Sequence, residues 1–207
     1  MIEIDNILDV EKHICDLDAV IFDLDDTLYS EKDYVRSGYC KIAEHFGKPE
    51  LADQMWEVFE RGGKAIDEVL EANGLESQKD EALRIYRFQE PDIQLYPGVA
   101  EMIARIRETT KVGIITDGRP VGQWAKIRAL GFQVDAIIVT DELGGIEFRK
   151  PNPAAFRLMQ ERLSVPFERM VYVGDNTQKD FIAPENLGMR TIWFRNPDGI
   201  YNKGDHK

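Results

Sequence analysis

Three carboxylates stand directly after a short apolar segment near the start of the chain. Residues 19–22 have the sequence Ala-Val-Ile-Phe, which is rich in β-branched and aromatic side chains and predicts a buried strand. Asp23, Asp25 and Asp26 follow this segment. Carboxylates beside a buried strand are costly to desolvate unless a bound cation compensates their charge. The cluster therefore predicts a site for a divalent cation at the end of the strand.

The spacing of Asp23 and Asp25 suits a two-acid reaction centre. In a locally extended backbone, residues two apart point the same way, so both carboxylates would face one site. One carboxylate can then attack an electrophile while the other holds or delivers a proton. The alternative is an acidic turn in which an Asp and Thr27 cap the helix that follows. We favour capping for Asp26 alone and the chemical role for the Asp23–Asp25 pair.

A second group of polar residues follows a later apolar segment. Residues 112–115 predict another short strand, and the sequence Thr116-Asp117-Gly118 comes directly after it. A hydroxyl group and exposed backbone amides at such a turn can cradle phosphate oxygens. Lys150, which precedes a predicted helix, adds a positive charge. Taken singly, Thr116 also suits a helix cap and Lys150 a solvated surface charge.

A third strand end carries two more acids. Asp175 follows the apolar segment 170–173, and Asp180 stands a few residues later near the start of a helix. Taken singly, Asp175 suits a turn and Asp180 suits a helix cap. The carboxyl ends of parallel strands meet at one edge of a sheet, where ligands bind in open α/β folds. Together with the earlier strand ends, these residues therefore predict one shared site.

The hydrophobic pattern predicts an α/β core that is interrupted by a helical insertion. Residues 31–94 show helical periodicity throughout, whereas the later chain alternates between helical and strand-like segments. Strands separated by single helices form parallel βαβ units, so we predict a doubly wound, Rossmann-like parallel sheet. Residues 1–30 and 95–207 would form the α/β core domain, and residues 31–94 a helical-bundle cap domain.

Two finer expectations concern the N-terminal residues and the core of the helical segment. The first sixteen residues carry apolar side chains at helical spacing, which predicts a short helix packed on the edge of the sheet. Trp56, Phe59 and Phe88 are the large aromatic residues of the helical segment, and we predict that they form its core.

The composition excludes several classes of protein. The chain has 207 residues, of which 43% are hydrophobic and 31% charged, as in a globular protein. Its formal net charge of −12 argues against a nucleic-acid surface, which would normally be basic. An anionic substrate would have to be attracted locally by a metal ion, lysine and backbone amides, because the overall field opposes it.

The sequence also favours a cytoplasmic protein without membrane contact. No apolar segment approaches the length of a membrane span, and the N-terminal residues lack the layout of a signal peptide. Cys15 and Cys40 are far apart in the sequence, which suits reduced thiols rather than a metal or redox pair. The apolar faces of the helical segment leave a monomer and a homodimer equally open.

These motifs make the sequence resemble the haloacid dehalogenase-like (HAD) hydrolase superfamily over nearly its whole length. The first motif of that superfamily, D-x-D-x-T, is matched by residues 23–27. Its second-motif threonine or serine is matched by Thr116, and its lysine by Lys150. Its fourth motif, G-D-x-x-x-x-D, is matched by residues 174–180. The helical segment between the first two motifs is similar to the inserted cap of some members.

The resemblance implies hydrolysis of a phosphomonoester in two steps. Asp23 would attack phosphorus and form an aspartyl-phosphate. Asp25 would protonate the leaving alcohol and later deprotonate the water that resolves the intermediate. Mg²⁺ would be held by Asp23, the backbone carbonyl of Asp25 and Asp175, because these groups offer the hard oxygen ligands that it prefers.

The remaining motif residues would bind the phosphoryl group or support the site. Thr116 and Lys150 would contact the phosphoryl oxygens, assisted by backbone amides around Leu24 and Asp117, and Gly118 would also contribute to substrate binding. Two further motif residues would support these groups: Asp180, which by resemblance helps to orient the lysine, and Thr27.

Four functions compatible with these residues can be ranked. We expect an Mg²⁺-dependent phosphatase that acts on a small phosphorylated metabolite, such as a sugar phosphate or a nucleoside monophosphate. A phosphomutase would use the same core residues. A 2-haloacid dehalogenase is less favoured because displacement at carbon needs no acid at the position of Asp25. A non-catalytic binding module ranks last because it predicts a damaged motif, and every motif is intact.

Overall fold

A six-stranded parallel sheet forms the centre of the computed structural model, which describes residues 1–200. The strands run in the spatial order β1-β6-β5-β2-β3-β4, and every neighbouring pair is parallel. This arrangement confirms the predicted doubly wound α/β fold. The strand bounds are β1 (Ile2–Ile4), β2 (Ala19–Phe22), β3 (Lys111–Thr116), β4 (Ala136–Val139), β5 (Met170–Gly174) and β6 (Arg190–Phe194).

The direction in which the sheet grows reverses at β2. From β2 the chain adds β3 and β4 on one side, and it then returns to add β5 and β6 on the other. In open α/β sheets, ligands bind outside the carboxyl ends of the strands at such a reversal. The carboxyl end of β2, where Asp23 begins, is therefore the topological switch point of this fold.

Eight α-helices accompany the sheet in the part of the chain that the structure describes. The first five lie between β2 and β3 in sequence, and α1–α4 fall within residues 31–94, as the helical periodicity predicted. The helix bounds are α1 (Glu31–His45), α2 (Glu50–Glu60), α3 (Ala65–Ala72), α4 (Lys79–Arg87), α5 (Val99–Arg107), α6 (Pro120–Leu130), α7 (Ala154–Leu163) and α8 (Ile182–Asn186).

Apolar side chains of the sheet pack against helices on both of its faces. Along β2, Val20 and Phe22 join a buried cluster with residues of α5 and α6, whereas Ile21 joins a second cluster with residues of α7. This alternation follows from the two-residue period of a strand. Helices α1–α4 share a third apolar cluster that includes Ile42 and Leu70. The division into a core domain and a cap domain stays a prediction.

The structure corrects two of the finer expectations. The first residues form strand β1, which pairs with β6, and a 3₁₀ helix follows at Ile7–His13. The pattern missed β1 because three residues show no clear period and the strand is specified by its partner. Phe88 is 62% exposed rather than in the core, whereas Trp56 and Phe59 are half-buried.

Two further expectations concern the C-terminal residues and a membrane-spanning helix. Residues 201–207, which the prediction assigned to the core domain, lie outside the described residues. Within residues 1–200, no helix is both long and apolar enough to cross a membrane.

Substitution of Gly113 should destabilise the centre of the sheet. Gly113 lies in β3, and a Cβ atom there would lie 2.7 Å from Sδ of Met159 and 2.9 Å from Cδ1 of Ile21. Both neighbours are fully buried, so Gly113→Val should lower the free energy of unfolding by about 1–3 kcal/mol in urea denaturation.

Gly122→Ala is the matched control for this prediction. Gly122 lies in α6, where the nearest atom to an added Cβ is the Tyr34 hydroxyl at 3.5 Å. Alanine is the better helix former, so this variant should be as stable as the natural protein or more stable. Equal stability of the Gly113→Val variant and the natural protein would contradict the packing argument.

Candidate active site

A buried lysine holds Asp23 at the end of β2. Nζ of Lys150 lies 2.6 Å from Oδ1 of Asp23, 2.9 Å from Oδ1 of Asp180 and 2.8 Å from the hydroxyl of Tyr172. Asp23 and Tyr172 accept hydrogen bonds from this ammonium group, whereas the contact with Oδ1 of Asp180 is an ion pair without a hydrogen bond, so one of its three protons is not used by these partners. Burial lowers the pKa of Lys150, but Asp180 and Asp23 raise it by more and keep the side chain charged.

This arrangement gives Lys150 a clear structural task. Its side chain is fully buried, and it compensates the negative charge of the acid that the sequence predicts as nucleophile. Asp180 contacts Lys150 as the resemblance implied. Direct binding of a phosphoryl group by Lys150 stays a prediction.

Three buried aspartates form a cluster that could hold a metal ion. Carboxylate oxygens of Asp23, Asp175 and Asp180 all lie within 4.8 Å of one another. Burial, followed by the charges of Asp23 and Asp180, raises the pKa of Asp175 to about 9. Burial also raises the pKa of Asp23 to about 7, although Lys150 acts against this. An oxygen-only set of this kind fits a hard divalent cation such as Mg²⁺ or Ca²⁺.

The carboxylate of Asp25 is anchored to helix α6 and to its own loop. Oδ1 accepts hydrogen bonds from Nζ of Lys126 at 2.7 Å and from the Tyr29 hydroxyl, and Oδ2 accepts one from Nε2 of Gln123 at 3.0 Å. Burial raises the pKa of Asp25, but the charge and hydrogen bond of Lys126 outweigh it and lower the pKa below its ordinary value. The metal contact through the Asp25 backbone carbonyl stays a prediction.

Thr116 lies at the end of β3 and is linked to Asp25 through one side chain. The amide Nε2 of Gln123 donates to Oγ1 of Thr116 as well as to Oδ2 of Asp25. Gly118 closes the turn with φ +144°, and a Cβ there would lie 3.1 Å from the Gln123 side chain. The turn 116–118 therefore packs directly against α6.

The carboxylate of Asp117 fixes the loops around the site. Its Oδ1 accepts hydrogen bonds from the Thr140 hydroxyl at 2.9 Å and from the backbone N–H of Lys150 at 3.0 Å. Its Oδ2 accepts from Nζ of Lys179 at 3.1 Å. Burial raises the pKa of Asp117, but Lys150 and Lys179 lower it by more. Substrate binding by the backbone amides of Asp117 and Gly118 stays a prediction.

The capping role favoured for Asp26 is confirmed. Its Oδ1 accepts the backbone N–H of Glu31, the first residue of α1, at 2.8 Å. Its Oδ2 accepts the N–H of Ile200 at 2.7 Å, so Asp26 also ties this loop to the end of the described chain. Oγ1 of Thr27 is buried without a hydrogen-bond partner among the described residues, and its supporting role stays a prediction.

A cavity of about 570 Å³ opens in front of these side chains. The core and the helical segment both line it. From the core come the predicted residues Asp23, Asp25, Asp117, Gly118, Lys150 and Asp175 together with Arg119, Gln123, Lys126, Arg149 and Lys179. The helical segment contributes Glu31, Tyr34, Ile66, Leu83, Tyr86 and Arg87.

Sequence reasoning missed several of these residues. Gln123 and Lys126 share one face of α6 directly after the second motif, and this i, i+3 pair of polar residues on a helix beside the site was an available signal. Lys179 precedes Asp180 within the fourth motif. Tyr172 gave no signal, because a tyrosine inside an apolar strand resembles any other core residue.

Comparison with known proteins shows the family. The sequence model of the haloacid dehalogenase-like hydrolases matches residues 17–188. The chain therefore belongs to this hydrolase family, as the four motifs implied.

Individual relatives are similar over different lengths. A glyceraldehyde 3-phosphate phosphatase of Pyrococcus abyssi is 36% identical over 102 residues, which are 48% of this chain and only 42% of that protein. A glyceraldehyde 3-phosphate phosphatase of Methanopyrus kandleri is 29% identical over 197 residues, which are 86% of this chain and 83% of that protein. Among solved structures, a 2-haloacid dehalogenase of Pseudomonas syringae shares the fold with a TM-score of 0.61, 23% identity and coverage of 92% and 91% of the two chains.

Removing the Asp175 carboxyl group should flatten the pH dependence of stability in metal-free protein. An unfolded Asp ionises near its ordinary pKa of 3.8, whereas the pKa of Asp175 in the fold is about 9. Between these values the folded state keeps a proton that the unfolded state has lost. The free energy of unfolding should therefore fall as the pH rises from about 4 to about 9, and Asp175→Asn should weaken this fall.

Urea denaturation in the presence of a chelator, at several pH values across this range, measures the effect. Asp53→Asn is the control, because Asp53 is an exposed residue of α2. The same decline in the Asp175→Asn variant as in the natural protein would show that Asp175 does not carry this proton.

Proposed function

We propose that the protein is an Mg²⁺-dependent phosphatase that hydrolyses a small phosphorylated metabolite through an aspartyl-phosphate intermediate. The observation that carries this proposal is the environment of Asp23 at the switch point of the sheet. Its carboxylate is paired with the buried ammonium of Lys150 and lies within 4.8 Å of two further carboxylates in a cluster suited to a cation. The phosphatase names of the two relatives support the same reaction.

The residues present can carry out both steps. In the first step an oxygen of Asp23 bonds to phosphorus, the bond from phosphorus to the ester oxygen breaks, and Asp25 gives that oxygen a proton. In the second step Asp25 takes a proton from water, which displaces Asp23 from phosphorus and releases inorganic phosphate. Both acids line the same cavity, so one bound substrate can reach both of them.

Asp23 and Asp175 would hold the metal ion, with Asp180 at its edge. The three buried carboxylates are close enough to repel one another, and a divalent cation relieves this repulsion. When bound, Mg²⁺ neutralises charge on the phosphoryl oxygens during transfer. The Asp25 backbone carbonyl would complete the protein ligands, as the first motif implies.

Two lysines would supply positive charge to the phosphoryl group, and a hydroxyl group would supply a hydrogen-bond donor. Lys150 compensates Asp23, and Thr116 lies at the neighbouring strand end. Lys179 also lines the cavity, and its side chain is 31% exposed beside Asp117. We propose that Thr116, Lys150 and Lys179, with the amides of the turn 116–118, form the phosphoryl-binding set.

Residues 31–94 would act as the cap over this site. The segment has its own apolar cluster, and its helices line part of the cavity that the catalytic acids also line. Ile66, Leu83, Tyr86 and Arg87 are therefore placed to contact the leaving group and to exclude water. A cavity of about 570 Å³ suits a small metabolite, such as a triose phosphate, a larger sugar phosphate or a nucleoside monophosphate. A cytoplasmic location and a monomeric or homodimeric state stay predictions.

Release of inorganic phosphate from a panel of phosphomonoesters tests the proposed function. The panel should include triose, pentose and hexose phosphates, phosphoglycolate and nucleoside monophosphates, each with Mg²⁺ and with excess chelator. We expect turnover of at least one metabolite only when Mg²⁺ is present, because the cavity offers oxygen ligands alone to the cation. Full activity in excess chelator would contradict the metal requirement.

The Asp23→Asn variant controls this experiment. It keeps the size of the side chain but removes the nucleophilic oxygen, so it should lose turnover while it retains a cooperative thermal transition. Retained turnover would exclude Asp23 as nucleophile. If the natural protein releases no phosphate, haloacids and bisphosphate-primed isomerisation become the substrates to test, as for a dehalogenase or a phosphomutase.

Arg87 should select substrates whose leaving group is negatively charged. It ends α4 and lines the cavity on the side of the helical segment. Arg87→Met should raise KM for phosphoglycolate about 10–100-fold, since hydrogen bonds to charged groups contribute about 1.5–3 kcal/mol. KM for 2-hydroxyethyl phosphate, which has the same length without the second charge, should not change.

Arg84→Met is the matched control for Arg87→Met. Arg84 lies on the same helix, but it pairs with Glu81 and is not part of the cavity. An equal change in KM for phosphoglycolate and 2-hydroxyethyl phosphate in the Arg87→Met variant would show that Arg87 does not bind the charged leaving group selectively.

A further inference from the structure

We propose that Lys126 and Gln123 are positioning residues that fix the carboxyl group of Asp25 and direct its transferable proton to Oδ2. This inference rests on the proposed function, because it concerns the acid of that reaction. It adds two residues of α6 that lie outside all of the sequence motifs.

The contacts of Asp25 distinguish its two oxygens. Oδ1 accepts from both Lys126 and Tyr29, whereas Oδ2 accepts from Gln123 alone. Each carboxylate oxygen has two lone pairs, so Oδ1 is fully occupied and Oδ2 keeps one lone pair. A proton carried by Asp25 therefore belongs on Oδ2. Loss of Lys126 would free Oδ1 and allow the proton to take a second position.

Lys126 is itself held firmly. Its side chain is 6% exposed, and Nζ lies 4.3 Å from the ring centroid of Tyr34 and 6.0 Å from that of Tyr29. Tyr34 belongs to α1 and packs edge-to-face against Tyr86 of α4, with centroids 5.8 Å apart. The faces of aromatic rings attract an ammonium group, and the attraction is stronger where the group is shielded from water. The helical segment thus helps to hold the ammonium group of Lys126, and this group in turn holds the carboxylate of Asp25.

Gln123 sets the position of Asp25 relative to the phosphoryl site. Its Nε2 donates both to Oδ2 of Asp25 and to Oγ1 of Thr116. The acid and the proposed phosphoryl-binding hydroxyl therefore share one anchor on a rigid helix. Reactions of bound groups are sensitive to displacements of about 1 Å, so this anchor affects the rate of proton transfer.

Dependence on the leaving group tests the proposal. An alkoxide needs a proton to leave, whereas p-nitrophenolate is stable without one. The value of kcat/KM depends only on the steps up to departure of the leaving group. The second step, in which Asp25 acts as a base towards water, therefore does not affect this value. Lys126→Met should lower kcat/KM about 10–100-fold for the best alkyl phosphomonoester of the panel, and less than about 3-fold for p-nitrophenyl phosphate.

Three further variants complete the experiment. Gln123→Leu should show the same selective loss, and it decides the question if the Lys126→Met variant does not fold. Lys126→Arg keeps the charge and should recover part of the activity towards the alkyl substrate. Arg128→Met, at an exposed position of the same helix, should leave the ratio of the two kcat/KM values unchanged.

The outcomes separate this inference from the proposed function. Equal losses for both substrates, or no loss for the alkyl substrate, would overturn the positioning role while phosphatase activity stands. Failure of the natural protein to hydrolyse either substrate would overturn the proposed function and the inference together.

Discussion

The buried ion pair between Lys150 and Asp23 is the interaction on which the rest of the site depends. Lys150 is fully buried and also contacts Asp180 and Tyr172. Without the lysine, Asp23 and Asp180 would lose the ammonium group that compensates their charge in this buried site. Breaking a buried pair by removing one partner is strongly destabilising, because the remaining charge is left uncompensated. The fold supplies this compensation from loops and strands distant in sequence.

The site contains two acid–lysine pairs with opposite electrostatic results. Around Asp23 burial dominates and raises the pKa, although Lys150 opposes it. Around Asp25 burial acts in the same direction, but Lys126 outweighs it and lowers the pKa. Environments that separate the pKa values of two acids are typical of sites in which the acids have different tasks. A phosphoryl dianion next to Asp25 would oppose the effect of Lys126, so the arriving substrate itself favours protonation of this acid.

The sequence predicted the parts of the fold that leave a local signal. The apolar segments and the helical periodicity located five of the six strands and the helices α1–α4, because burial patterns are visible over short stretches. Strand β1 has only three residues and is specified by pairing with β6, which no local pattern contains. Phe88 was misplaced because hydrophobicity does not say which side of a helix end meets the core.

The same distinction applies to the site. The sequence predicted Asp23, Asp25 and Asp175 because each follows an apolar strand, and the fold brings these three side chains to one cavity. Gln123 and Lys126 could not be assigned in this way, since their importance comes from distances to Asp25 and Thr116 across the fold. The roles proposed for these two residues depend on tertiary contacts, whereas the roles predicted for the motif residues depend on position along the chain.

The order of the strands also has a consequence for how the chain reaches this structure. Strand β2 pairs with residues 111–114 on one side and 170–173 on the other. During synthesis its apolar side chains emerge early, but both neighbouring strands appear only much later. Helices α1–α4, by contrast, contact mainly one another and are close in sequence. Contacts of low sequence separation form faster than distant ones. These helices can therefore fold before β3 and β5 are available to pair with β2.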